Sequence, residues 1–170
     1  MDLVGAKEVL EIIKQLDGDS KESILRALNL AEHVEKTAGD FYQKEVEKTK
    51  GTELEAFFIF MVKEEEMHLT KIKELKANLE NNQTKMEIQF NKNIAPEIRA
   101  IPAGKDDMTA LLYALWREKK AEDFYRKAGE KTTGAVGKFF LELAEFEKGH
   151  VILLEDYVDH IQNANELIMG

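Results

Sequence analysis

The chain has 170 residues, no cysteine, and 33 acidic against 24 basic side chains, for a formal net charge of -9. That length suits one domain with a sizeable core, and an acidic balance without a basic arm argues against nucleic acid as a partner. Without thiols there are no disulfides, no thiol nucleophile and no four-cysteine metal site, so any metal must be held by nitrogen and oxygen.

The N-terminus, "MDLVGAKEVLEIIKQLDG", alternates charged and apolar residues, which predicts an amphipathic helix near 2–16 within a segment 1–17. It lacks the basic start and continuous apolar stretch of a signal peptide or anchor. Val9, Leu10, Ile12, Ile13 and Leu16 give it an apolar face to pack on the bundle or at a dimer interface. Four long helices follow, over 20–49, 52–80, 106–132 and 134–163, all rich in Ala, Leu, Glu and Lys. Both prolines, Pro96 and Pro102, fall in the irregular stretch 81–105, which reads as a long crossover between a first hairpin (20–80) and a second (106–163). The longest apolar runs, "AFFIFMV" and "ALLYALW", are far short of the roughly 20 residues that span a bilayer. No membrane role is expected, and the cytoplasm is the expected compartment.

The hairpins repeat one another. "EKTAGDFYQKEVEKTKG" (Glu35 to Gly51) aligns without a gap on "EKKAEDFYRKAGEKTTG" (Glu118 to Gly134), and after one deletion "FFIFMVKEEEMH" (Phe57 to His68) aligns on "FFLELAEFEKGH" (Phe139 to His150). Two hairpins joined by a long crossover imply an all-α four-helix bundle of ferritin-like connectivity.

Steps of three and four residues trace an inward seam on each helix. The first reads Ile24, Leu28, Ala31, Glu35, Ala38, Tyr42; the second Leu54, Phe58, Met61, Glu65, His68, Ile72, Leu75, Leu79. The third reads Leu111, Ala114, Glu118, Ala121, Tyr125, Ala128; the fourth Val136, Phe140, Leu143, Glu147, His150, Leu154, Tyr157, Ile161. Four glutamates and two histidines interrupt this pattern. Glu35 lies 16 residues before Gly51 and Glu65 14 after it, while Glu118 lies 16 before Gly134 and Glu147 13 after it. These positions fall at about the same height within each hairpin, and all six side chains are expected to converge on one layer. Buried carboxylates so close together need compensation, and no seam position is Lys or Arg. Two divalent cations would supply it, each taking one imidazole from a GluxxHis turn, whose i and i+3 positions share a helix face.

Of the remaining polar residues near these motifs, His33 reads as a surface histidine, His160 as structural, and Glu64, Glu66 and Glu145 as facing away from the site. Phe57, Phe58, Phe139, Phe140 and Trp116 read as core, and Gly149 as permitting either a local bulge or close packing.

With both Glu-x6-Tyr and both GluxxHis segments in order over about 24–160, the sequence resembles the ferritin-like di-iron carboxylate family, and within it the rubrerythrins and bacterioferritins. The resemblance implies two Fe ions, with Mn or mixed Fe/Mn as variants. It implies terminal ligands Glu35 and Glu118, bridging ligands Glu65 and Glu147, and one of His68 and His150 per metal. Tyr42 and Tyr125 would donate hydrogen bonds that orient the carboxylates. It further implies a rubrerythrin-like oxidoreductase that reduces hydrogen peroxide or dioxygen, as a homodimer or higher homo-oligomer. Typical rubrerythrins have an extra glutamate where this chain has Ala121, with Glu122 one position off, and commonly a rubredoxin domain, absent here. Electrons would then come from an external protein such as rubredoxin. Glu66 stands where bacterioferritins place a haem methionine, so no haem is expected. The alternatives are an iron-handling ferroxidase of the ferritin or bacterioferritin type, and a non-catalytic bundle with a vestigial site.

Overall fold

The computed structural model describes residues 11, 14, 16, 20–82, 90, 93–97 and 104–169. Among these the chain is all-helical, with no strand, and forms a bundle of four long helices: α1 (Lys21–Lys48), α2 (Glu53–Glu80), α3 (Lys105–Lys131) and α4 (Gly134–Met169). None is long and apolar enough to cross a membrane. Val9, Leu10, Ile12 and Ile13 of the expected N-terminal helix lie outside the described residues, but Leu16 is buried in the core.

Local chemistry sets the helix ends. Ser20 Oγ accepts the Ser23 N–H at 3.2 Å and caps α1. In the α1–α2 turn Gly51 takes φ +79°, and its N–H donates to Glu55 Oε2 at 2.7 Å. Asn82, at φ +53°, follows α2 and is held to the start of α1 by Lys21 Nζ at 2.8 Å. The Gly104 N–H donates to Asp107 Oδ2 at 2.9 Å as α3 begins. Gly134, matching Gly51 in the repeat, has φ +63° at the start of α4. That helix continues to Met169, past the 163 expected, because no glycine or proline interrupts 150–169.

These short turns make each hairpin antiparallel. Every seam residue named from the sequence is buried except Leu79, which is half-buried. Trp116 is a correction: it is 39% exposed and stacks on Tyr113 at 5.9 Å. It falls between the inward positions 114 and 118, so the helical turn carries it outward. Phe57, Phe58, Phe139 and Phe140 are buried as expected. The apolar interior forms two clusters. One gathers Ile24, Leu28, Ile72, Leu75, Phe124 and Phe140; the other gathers Leu54, Phe58, Met61, Leu111, Leu154 and Ile161. Each such side chain, fully buried, contributes about 1.5–3 kcal/mol. The polar layer lies between the clusters, shielded at both ends.

The α3–α4 turn is closely packed. A Cβ at Gly137 would run into the Thr132 carbonyl, whereas one at Gly149 would meet nothing. Gly149 therefore serves neither close packing nor a bulge, since α4 is continuous through it. Gly137→Ala is expected to cost about 1–3 kcal/mol, and Gly149→Ala to add roughly 1 kcal/mol through helix propensity. Urea midpoints of the two variants, moving in opposite directions, check both.

Candidate metal centre

The six residues singled out by the interrupted seam meet in one layer. Glu35 comes from α1, Glu65 and His68 from α2, Glu118 from α3, and Glu147 and His150 from α4, and all six are at most 3% exposed. Their oxygen and nitrogen atoms fall into two groups, Glu35–Glu65–His68–Glu147 and Glu65–Glu118–Glu147–His150, each with its candidate ligand atoms within 4.8 Å of one another. Glu65 and Glu147 belong to both. His68 Nδ1 lies 3.0 Å from Glu147 and 3.4 Å from Glu35. His150 Nδ1 lies 3.3 Å from Glu118, 3.4 Å from Glu147 and 3.7 Å from Glu65. The two imidazoles stack, with centroids 5.4 Å apart.

The tyrosines cross between hairpins. Tyr42 donates to Glu118 and Tyr125 to Glu35, so each orients the glutamate of the opposite hairpin. Burial, and then the charges of Glu118 and Glu35 respectively, push both phenols well above their usual range. They stay protonated and remain donors.

The carboxylates divide by role. Burial, followed by the charges of Glu35, Glu118 and Glu147, pushes Glu65 well above the usual carboxyl range. Burial and then Glu118 raise Glu147 to about 7. For Glu35 and Glu118 burial also favours the neutral acid, but the close approach of His68 to the first, and of Glu147 and His150 to the second, outweighs it and holds both low. The histidines move the other way from what burial alone would cause. Glu147 and Glu35 raise His68 to about 9, while Glu118, Glu147 and Glu64 raise His150 well above its usual value.

Glu64 requires a correction. It is buried, not turned away: its Oε2 lies 3.4 Å from His150 Nε2, and its Oε1 accepts from Asn93 Nδ2 in the crossover. With His68 and His150 it makes a third group of potential ligands. The repeat holds a clue, because Glu64 aligns with Phe146, an apolar residue that is half-buried with its ring against His68. The other nitrogen of His68, Nε2, has no hydrogen-bond partner, and its ring meets Phe146 at 5.4 Å and Phe90 at 6.2 Å. Phe90 and Asn93 lie in the crossover, where the sequence has no periodicity to read.

The other acids behave as expected. Glu66 and Glu145 are exposed, Glu122 is held by Arg126 at 2.8 Å, and Ala121 is buried apolar core. His33 is exposed, and the exposed His160 Nδ1 lies 2.8 Å from the Asp156 carbonyl oxygen. The nearby buried cation, Arg117, donates instead to Thr37 at 3.1 Å and lies over the rings of Phe41 and Tyr113.

Two cavities approach the layer. One of about 390 Å³, between α2, α4 and the crossover, reaches Glu64 and His150. The other, of about 240 Å³ between α1 and α2, reaches Glu35 and Glu65. Comparison with family models, curated proteins and solved structures finds no match to this chain.

Proposed function

We propose that this chain is a rubrerythrin-like di-iron oxidoreductase on a ferritin-like bundle, reducing hydrogen peroxide with electrons from an external donor protein. The observation that carries the reading is the pair of four-residue groups sharing Glu65 and Glu147. One carboxylate and one histidine belong to each group alone, and two carboxylates lie between them. That is the donor set for two adjacent divalent ions.

The residues present fit such ions. Glu35 Oε2, Glu65 Oε1, both oxygens of Glu147 and both nitrogens of His68 are buried without a hydrogen-bond partner. Buried polar atoms left this way are costly, by roughly 1–3 kcal/mol each. His68 Nδ1 is close to two carboxylates yet aligned with neither for hydrogen bonding, as expected of atoms directed at a common centre. Glu35, His68, Glu65 and Glu147 would hold one ion, and Glu118, His150, Glu65 and Glu147 the other.

Two ferrous ions held there would supply the two electrons that reduction of peroxide to water consumes. The protein's part is placement and insulation. Tyr42 and Tyr125 fix the outer glutamates, Glu64 fixes the His150 ring, and the two apolar clusters keep bulk water from the layer. The choice of peroxide rests on the resemblance to rubrerythrins.

Metal analysis after native purification should return about two irons per chain, lost in Glu65→Ala and in Glu147→Ala. Anaerobic Fe(II) protein should then be oxidised rapidly by stoichiometric peroxide. A clearly faster reaction with dioxygen would replace the peroxidase reading with a ferroxidase one, and a chain that binds no iron would leave only a vestigial site.

A further inference from the structure

The repeat allows the outer groove of each hairpin to be compared position by position. In the first hairpin the groove between α1 and α2 holds a cavity whose floor is Glu35 and Glu65 and whose rim carries Asp40, Glu66 and Lys36. In the second, Gly39 is replaced by Glu122 and Gln43 by Arg126. Arg126 holds Glu122 at 2.8 Å and reaches Glu145 on α4 at 3.5 Å, laying a charged strap across the equivalent seam. One hairpin is bridged where the other is open.

Packing does not demand the glycine that makes the opening. A Cβ on Gly39 would meet Glu65 Cβ at 3.8 Å, an ordinary contact, and Gly39 lies in the middle of α1 without positive φ. Glycine there costs about 1 kcal/mol of helix stability relative to alanine. Below it, Glu35 Oε2 and Glu65 Oε1 are buried and unpartnered. We propose that the α1/α2 groove at Gly39 is the route by which hydrated divalent cations pass from solvent to the buried carboxylate and histidine layer. The proposal rests on the metal-site reading above and adds to it the path of loading.

The dimensions and charge suit that cargo. A cation with six waters occupies on the order of 200 Å³, at about 30 Å³ per water, against the cavity's 240 Å³. The rim has one more acid than base, and the floor offers oxygen atoms to replace departing waters. The larger cavity is a poorer route. Glu145 and Asp156 also lie on it, but Glu145 is held by Arg126 at 3.5 Å. Phe60, Phe146, Ile152 and Leu153 wall it, and Glu64, at its inner end, is already engaged by Asn93 and His150.

Two matched variants of the full chain test the route. Gly39→Leu fills the α1/α2 groove with a side chain that cannot ligate, and Gly149→Leu fills the α2/α4 cavity at a position where a Cβ meets nothing. Uptake of Co(II) by metal-free protein is followed by stopped-flow visible absorption. Gly39→Leu should slow uptake by at least about tenfold, the lower range of acceleration by a charge-focusing cleft, and still reach the wild-type stoichiometry. Gly149→Leu should load at the wild-type rate. Wild-type loading in Gly39→Leu, or equal slowing in Gly149→Leu, overturns the route while leaving the metal site standing. Wild-type protein that takes up no Co(II) overturns both.

Discussion

Metal-free protein should lose stability as the pH is raised from about 5 to 9, whereas protein loaded with two divalent ions should gain it. The sign follows from the buried layer. His68 titrates near 9 when folded against 6.5 when unfolded, so its stabilisation is complete below 6.5 and vanishes as pH rises through about 9. Glu147, raised from 4.5 to about 7, loses its contribution over the lower part of that window, and Glu65 and His150 are shifted in the same direction. Glu35 and Glu118 are shifted downward, so what they contribute is lost only in acid. At about 1.4 kcal/mol per pKa unit, the metal-free protein should shed several kcal/mol, on the order of 10 °C in Tm. Metal binding requires the same groups to be deprotonated, which reverses the slope. Near neutral pH, loading should release roughly three to four protons, from Glu65, Glu147, His68 and His150. Melts with and without chelator, and calorimetry in buffers of different ionisation enthalpy, check the slope and the proton count. A flat profile for metal-free protein would mean that the layer is not charged as described.

Much of this site is legible in the sequence, because it violates a pattern. Glu35, Glu65, Glu118 and Glu147 stand where Ile24, Phe58, Ala114 and Phe140 set an apolar seam, and a charged residue is informative only where packing excludes it. The repeat then shows which residues are equivalent, and the distance of each from Gly51 or Gly134 places them at one height. What the sequence hides depends on parts of the chain without periodicity, or on the direction of side chains. Asn93 and Phe90 come from a crossover whose path no helical spacing encodes, so neither the clamp on Glu64 nor the ring beside His68 can be anticipated. Trp116 reads as core by composition alone, although its turn position points it outward. The crossed tyrosine bonds need the antiparallel placement of α1 against α3, which makes Tyr42 and Tyr125 exchange partners between hairpins.

Glu64 breaks the pseudosymmetry of the site, and its replacement should therefore affect one ion and not the other. Hydrogen bonds from His150 and Asn93 overcome the effect of burial and hold Glu64 ionised. A carboxylate accepting from Nε2 fixes the His150 ring with Nδ1 facing Glu118 and Glu147, and raises the basicity of Nδ1 as a ligand once it is deprotonated. His68 has no such support, since Phe146 occupies the position matching Glu64 and Nε2 is left without a partner. The ion on the His150 side should bind first and the one on the His68 side second and more weakly. Glu64→Gln keeps the shape but removes the charge, and should lower affinity at the His150 side by about 10–100-fold, the usual cost of losing such support. The gap between the two steps of a Co(II) titration would then shrink or invert. Phe146→Leu, altering only the apolar wall on the His68 side, should leave the first step unchanged. Two equal steps in the unmodified protein, or a first step indifferent to Glu64→Gln, would show that the asymmetry around the imidazoles does not reach the metals.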